Sequence, residues 1–350
     1  MPLVWCYGFE MDSATNLVTQ CPSNFTQTGV IAWVTGGDQH GSGVTGAGTY
    51  AWRIDAGARF TMAGMFDAGT DYWISFAVHW TAYTALRIAW ETRRHDGTGN
   101  NGFAIYRNSS GNLILLYSDP STTTTLATST AVTANGSWMT IAMKVTKSGN
   151  DYSAEVYVDG ALFVSGTHTY AGAVYGFGGF YIQGAGNPYS YLDDIRIFAG
   201  DMAGDAAAAK AEGYVFAGQV SADSIDGSFT PSTAGDLFPC VEMGASVDWA
   251  KSISTTTDGD VCRLAMDSIG GAISGTADGV TVHAVCDTDS GMDDITLGMA
   301  ESSVATPVYG TATDAQVVGV VSETFLTSNG STAWTQASFD AANVVIKATS

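Results

Sequence analysis

The chain has 350 residues, 45% of them hydrophobic and 11% aromatic, which excludes a disordered chain and allows a sizeable core. Its formal charge is −21, divided as −5 over residues 1–200 and −16 over residues 201–350. That balance excludes a nucleic-acid partner, which needs a basic surface to neutralise phosphates. No apolar run reaches the roughly 18 residues that a membrane helix requires, so membrane insertion is not expected either.

The N-terminus, "MPLVWCYGFE", has no basic n-region and runs straight into strand-like sequence, so no signal peptide is read. In "VWCYGFE", Trp5, Tyr7 and Phe9 alternate with Cys6 and Gly8. "YWISFAVHW" puts Tyr72, Ile74, Phe76, Val78 and Trp80 on one face and Trp73, Ser75, Ala77 and His79 on the other. "ALRIAWETR" sets Leu86, Ile88 and Trp90 against Arg87, Ala89, Glu91 and Arg93. A period of two is the mark of a strand buried on one side. "GFAIYRNSSGNLILLYS" reads as a hairpin turning at Ser-Ser-Gly-Asn, and "SWMTIAMKVTKS" as a long strand. "YSAEVYVDGALFVSG" is a second hairpin, whose Asp159-Gly160 pair suits a type I′ turn because both central residues need positive φ. In "SYLDDIRIFAG", Tyr191, Ile195 and Ile197 alternate as one face; Asp193 falls on that face and Asp194 on the other. Strands joined by short turns imply antiparallel sheets packed as a sandwich.

Beyond Gly200 the texture changes. "GDMAGDAAAAKAEG" is Ala-rich, could form a short helical turn and carries no hydrophobic stripe, so residues 201–222 read as a linker. Strands resume in "GDVCRLAMDSI", "DGVTVHAVCDT", "DITLGMAES", "AQVVGVVSETF" and "AANVVIKAT". The expected fold class is therefore all-β: an antiparallel β-sandwich over 1–200 and a second, smaller and more acidic β-sandwich over 223–350. The five cysteines, at 6, 21, 240, 262 and 286, contain no C-x-x-C and read as small buried hydrophobes.

The series "SWMTIAMKV", "AEVYVDGALFVSG" and "YLDDIRIF" resembles the second half of concanavalin A-like, laminin-G-like jelly-roll domains, and "CYGFEMD" resembles the start of their MAM-type members. "DGSFTPSTAGD", "VDWAKSISTTTDGDVCRLA", "GVTVHAVCDTDSG" and "STAWTQASFDAANVVIKA" resemble a β domain of tailed-bacteriophage virion proteins, where it follows a laminin-G-like domain. The paucity of positive charge departs from that pattern. The resemblance implies a non-enzymatic virion structural protein, tail-associated in the first instance and on the capsid surface in the second. It would be made in the host cytoplasm and form a homo-oligomer on the particle with other virion proteins as partners. Alternatives are a capsid decoration, cement or head-fibre protein without sugar binding, a glycan-active hydrolase, or a secreted carbohydrate-binding module.

Two sets of residues are candidates for chemistry. Trp73, His79, Tyr83, Arg87, Glu91 and Arg93 offer rings, guanidinium groups and a carboxylate on a non-core face, as a host-surface glycan site would need. Glu10, Asp12, Asp193 and Asp194 would meet if the first and last strands of the jelly roll lie side by side. Such clustered carboxylates call for a structural Ca²⁺ or Na⁺, or for backbone donors in Asx-turns. The only Glu-x-Asp is Glu10-Met11-Asp12 and has no second Glu, so the paired acids of a glycosidase are not expected. "CDTDSGMDD" lacks the closing Glu of a calcium loop and reads as a solvated hairpin tip.

Overall fold

A computed structural model describes residues 3–7, 25–35, 40, 50–63, 71–81, 85–91, 102–118, 122–170, 177, 179–185, 190–199, 209–210, 213–215, 220–225, 229–232, 253–266, 268, 276–277, 279–286, 294–302, 305–314 and 319–349. The chain forms two compact units whose main division falls between Val215 and Phe216.

Among the described residues the larger unit holds fifteen strands. In chain order they are β1 (Leu3–Tyr7), β2 (Phe25–Thr28), β3 (Ile31–Thr35), β4 (Tyr50–Ile54), β5 (Arg59–Ala63), β6 (Asp71–Trp80), β7 (Ala85–Glu91) and β8 (Gly102–Arg107). They continue with β9 (Asn112–Ser118), β10 (Thr123–Val132), β11 (Trp138–Ser148), β12 (Asp151–Val158), β13 (Ala161–Thr169), β14 (Gly179–Ala185) and β15 (Ser190–Ala199). The first sheet has the order β13-β12-β11-β6-β15-β4-β3, with β1 also on β15; the second has the order β10-β9-β8-β7-β14-β5-β2. All the pairings are antiparallel, and the result is a β-sandwich of the jelly-roll kind.

Alternation dictates which residues meet between the sheets. Ile74, Phe76, Val78 and Trp80 of β6 are buried there, opposite Met143, Ile141 and Met139 of β11 in register. Across the interior, Trp52 meets Phe60 edge-on at 4.6 Å and Tyr117 lies 5.7 Å from Tyr152. Each such buried apolar side chain contributes about 1.5–3 kcal/mol relative to exposure. One residue breaks the pattern: Arg107 is fully buried, with its guanidinium 4.9 Å from the Trp80 ring. Its Nε donates to Thr133 Oγ1 at 2.6 Å and its Nη2 to Thr133 O at 2.9 Å, so the buried cation is met by oxygens. The β12–β13 turn has Asp159 at φ 47° and Gly160 at φ 80°, the two positive angles a type I′ turn requires.

The smaller unit holds β16 (Val220–Ile225), β17 (Thr230–Pro231), β18 (Ile253–Ser254), β19 (Val261–Met266), β20 (Val280–Cys286), β21 (Asp294–Ala300), β22 (Val308–Tyr309), β23 (Thr313–Asp314), β24 (Gly319–Phe325), α1 (Gln336–Asp340) and β25 (Asn343–Thr349). Its main sheet runs β16-β19-β25-β21-β22, and β20 pairs with β24 as a separate ribbon. Trp334 is fully buried among Met299, Phe325, Phe339 and Val344, and its indole N–H donates to Phe325 O at 2.7 Å. The short helix follows directly because Thr335 and Ser338 cap one another's backbone N–H groups. Cys262 is fully buried and shares an apolar cluster with Leu264.

Candidate functional site

The Asp-Asp pair of β15 organises the surface of the first sheet. Asp194 has φ 50°, a left-handed conformation that Asp tolerates better than most residues. Asp193 is opposite Ala77 whereas Arg196 is opposite Ser75, so β15 carries one extra residue here, a β-bulge. The bulge reverses the alternation. Leu192 faces the sandwich interior opposite Val78, and beyond the bulge Ile197 does so opposite Ile74. Tyr191, Asp193, Arg196 and Phe198 share the other face with His79, Ala77, Ser75 and Trp73. The expectation that Asp193 lies on the face of Ile195 and Ile197 is thereby corrected. At the same point, the neighbour on one side of β15 changes from β4, paired with residues 190–192, to β1, paired with residues 195–198.

A buried polar network fills that junction. Asp193 Oδ1 accepts the Asp194 backbone N–H at 2.8 Å, and Asp194 Oδ1 accepts the Val215 N–H at 2.7 Å. His40 Nδ1 lies 2.5 Å from Asp194 Oδ2, with both side chains buried. Arg196 Nη2 donates to Ser75 Oγ at 2.9 Å. Burial pushes the Asp194 carboxyl above the usual carboxylate range, while the His40 and Val215 hydrogen bonds and the His40 and Arg196 charges pull it back. Gly213 passes so close to Arg196 that a Cβ there would stand 2.0 Å from Nη1.

Residues 209–215 fall in the stretch read as linker, and the described ones form a strap on the outer face of the first sheet. Ala209 is fully buried against Trp73, Ala142 and Phe198, while the Lys210 ammonium lies 4.0 Å from the Tyr157 ring centroid. The Tyr157 hydroxyl donates to Glu155 Oε2 at 2.6 Å and is pushed up to about 12, by burial first and then by that carboxylate. At the bulge end, His40 stacks on Tyr214 at 5.0 Å and lies 5.4 Å from Trp138. His79 is 5.6 Å from Trp138 and 5.7 Å from Tyr191. Trp138, His79 and Tyr214 are half-buried, so this ring cluster keeps part of its surface in solvent. Rings held this way can stack on the apolar face of a sugar while their polar edges supply hydrogen bonds.

The residues expected to form one glycan site are divided. Trp73 is only 2% exposed under the strap and cannot stack on a ligand, which corrects its assignment. His79 belongs to the ring cluster on the first sheet. Arg87 and Glu91 are in β7 of the second sheet, in backbone register with Gln183 and Gly179. Tyr83, Arg93, Glu10 and Asp12 lie outside the described residues, as do Asp287, Asp289 and Asp293. Among the described residues no three His, Cys, Asp or Glu side chains cluster as a metal site, and both Asp194 oxygens are taken by protein groups. His40, Trp138 and Tyr214 were not foreseen as site residues. The one usable signal was the Asp doublet, since a bulge there would have put Tyr191 beside His79.

The second sheet's outer face is built differently. Ala104, Leu116 and Tyr181 form a cluster edged by Tyr106 and Ile114, and the Arg59 guanidinium lies 4.1 Å over the Tyr181 ring.

No protein-family model matches the chain, and no curated protein does. Among solved structures it is similar to the carbohydrate-binding module CBM66 from Bacillus subtilis, with 10% identity, a TM-score of 0.35, and coverage of 50% of this chain and 96% of that one. Domain 4 of AbnA, a GH43 extracellular arabinanase from Geobacillus stearothermophilus in complex with arabinotriose, gives 18% identity, a TM-score of 0.37, and coverage of 57% and 92%. The CBM2 module of the evolved Dit of Lactobacillus casei BL23 phage J-1 gives 12% identity, a TM-score of 0.35, and coverage of 56% and 94%. These are distant likenesses among sandwiches; the strand order above carries the fold class, and no ligand passes from them to this chain.

Proposed function

We propose that the chain is a non-enzymatic, sugar-binding adhesion protein of a tailed-phage particle. In this reading the larger unit contacts a host-surface glycan and the smaller one packs with other virion subunits. The observation that carries the sugar reading is the half-exposed cluster of Trp138, His79 and Tyr214, fixed from behind by the buried His40–Asp194 pair. The virion reading is supported by the C-terminal sequence pattern and by the pairing of the two β units. Many copies on one particle would turn weak single contacts into useful avidity.

The test is an array of bacterial surface polysaccharides probed with the full chain and with Trp138→Ala. Binding by the wild type that falls at least about tenfold in the variant supports the reading; a tenfold loss corresponds to one stacking contact of roughly 1.4 kcal/mol. Absence of binding to every polysaccharide would refute the adhesion role.

A further inference from the structure

We propose that Asn329–Gly330 is a self-modification site, at which the chain converts its own asparagine to isoaspartate and aspartate through a cyclic imide. Asn-Gly occurs at 101–102, 135–136 and 329–330. A following glycine favours this chemistry because no side chain hinders its nitrogen and its backbone angles are little restricted. Asn101 lies outside the described residues. The other two pairs are both exposed, and their surroundings differ.

At Asn329 the fold supplies what the reaction needs. The Asn329 Oδ1 accepts from Ser331 N at 3.1 Å, Ser331 Oγ at 3.0 Å and Thr332 N at 2.9 Å. These bonds fold the carboxamide back over the chain that follows it, the side from which the Gly330 nitrogen approaches. They also act as an oxyanion hole, since Oδ1 takes on negative charge when that nitrogen attacks Cγ. Gly330 has φ 82°, and among the described residues a Cβ there would meet only Val308 Cγ2, at 3.8 Å. Among the described residues no protein group accepts the Gly330 N–H. At Asn135 the corresponding nucleophile is engaged, because Gly136 N donates to Trp80 O at 2.9 Å.

In the first step the Gly330 nitrogen bonds to Asn329 Cγ and the Cγ–Nδ2 bond breaks. The proton lost by Gly330 passes through solvent to the departing ammonia. Water then opens the imide at either carbonyl. Cutting the new Cγ–N bond gives aspartate; cutting the original peptide bond gives isoaspartate. One water enters and one ammonia leaves, with no oxidant, reductant or cofactor. Isoaspartate routes the main chain through the side-chain carbons. It thereby lengthens a turn closed by Ser328 N–H to Thr332 O at 2.8 Å, just ahead of the buried Trp334.

Peptide mapping by mass spectrometry tests this on the full chain held at mildly alkaline pH, folded and in guanidinium chloride, with fragmentation that separates isoaspartate from aspartate. In the folded chain Asn329 should convert at least about tenfold faster than Asn135, and faster than Asn329 itself in the denaturant. Ser331→Ala removes the hydroxyl donor and keeps both backbone donors. It should slow Asn329 at least about threefold and leave Asn135 unchanged. Its thermal unfolding should match the wild type, since Ser331 is exposed. Any of four results overturns the proposal: no conversion at Asn329, conversion no faster than at Asn135, conversion faster in the denaturant than in the folded chain, or an unchanged rate in Ser331→Ala.

Discussion

The outer faces of the two sheets bury aromatic rings by different means. On the second sheet, Tyr181 is shielded by a side chain of its own sheet, the Arg59 guanidinium over its ring. On the first sheet, Trp73 and Phe198 are covered by a separate chain segment, through Ala209. Ordering a covering segment costs about 1–2 kcal/mol of backbone entropy per residue, which contacts must offset. Here the offset comes from apolar contact at Ala209, the Lys210–Tyr157 pair, the Tyr214–His40 stack and the Val215–Asp194 contact at the bulge. A face covered from outside depends on its latch, whereas a face covered from within does not. That difference ranks the expected effects of substitution.

The largest effect should come from Asp194→Ala. It leaves His40 and the Val215 N–H without their buried acceptor, and breaking a buried pair costs about 3–5 kcal/mol. Urea unfolding should register that loss, and hydrogen exchange should show the Val215 amide deprotected. An unchanged midpoint would mean that the strap does not depend on the latch. Asp194→Asn keeps an acceptor and removes the buried charge, so it should cost less. Because the folded-state pKa of Asp194 is raised, folding favours its protonated form. Wild-type stability relative to Asp194→Asn should therefore be greatest below the ordinary carboxylate range and be lost as pH climbs through the raised value. EDTA should leave the wild-type midpoint in place, since protein groups meet the Asp194 oxygens.

Gly213→Ala comes next. Its methyl would displace the Arg196 guanidinium, an overpacking cost of about 1–3 kcal/mol that calorimetry can measure. On the second sheet, Arg59→Ala removes one half-exposed cation–π contact and should cost only about 0.5–1 kcal/mol in urea unfolding. A larger loss there than at Gly213 would invert the comparison. The smallest effect is spectroscopic. The Tyr157 hydroxyl, with its pKa raised from 10.0 to about 12, contributes stability below pH 10 that is lost as pH rises toward 12. The alkaline difference absorption of wild type against Tyr157→Phe should accordingly show this tyrosine still protonated at pH 10.

Much of the sandwich could be read from period-two alternation, because one face of β6, β11 and β12 is apolar and the pleat does the rest. The type I′ turn at Asp159-Gly160 was legible for the same local reason. What escaped is non-local. The bulge at Asp194 shifts the phase of β15, so alternation counted across it assigns Asp193 to the wrong face. The strap is Ala-rich without a hydrophobic stripe, and Ala209 is buried because Trp73 and Phe198 need a cover. Arg107 looks like a surface residue until the Thr133 oxygens appear 26 positions away. The candidate site was half legible. His79 and the Asp doublet were singled out, but His40 and Tyr214 reach them only through tertiary contact.

The central claim is that the rings at the bulge contact sugar. Isothermal titration of the full chain with a host polysaccharide found on the array, wild type beside Trp138→Ala and Arg59→Ala, tests it most directly. The account predicts binding that Trp138→Ala abolishes or weakens at least about tenfold while Arg59→Ala preserves it. Binding that survives in Trp138→Ala but disappears in Arg59→Ala would contradict it, moving the sugar to the other sheet.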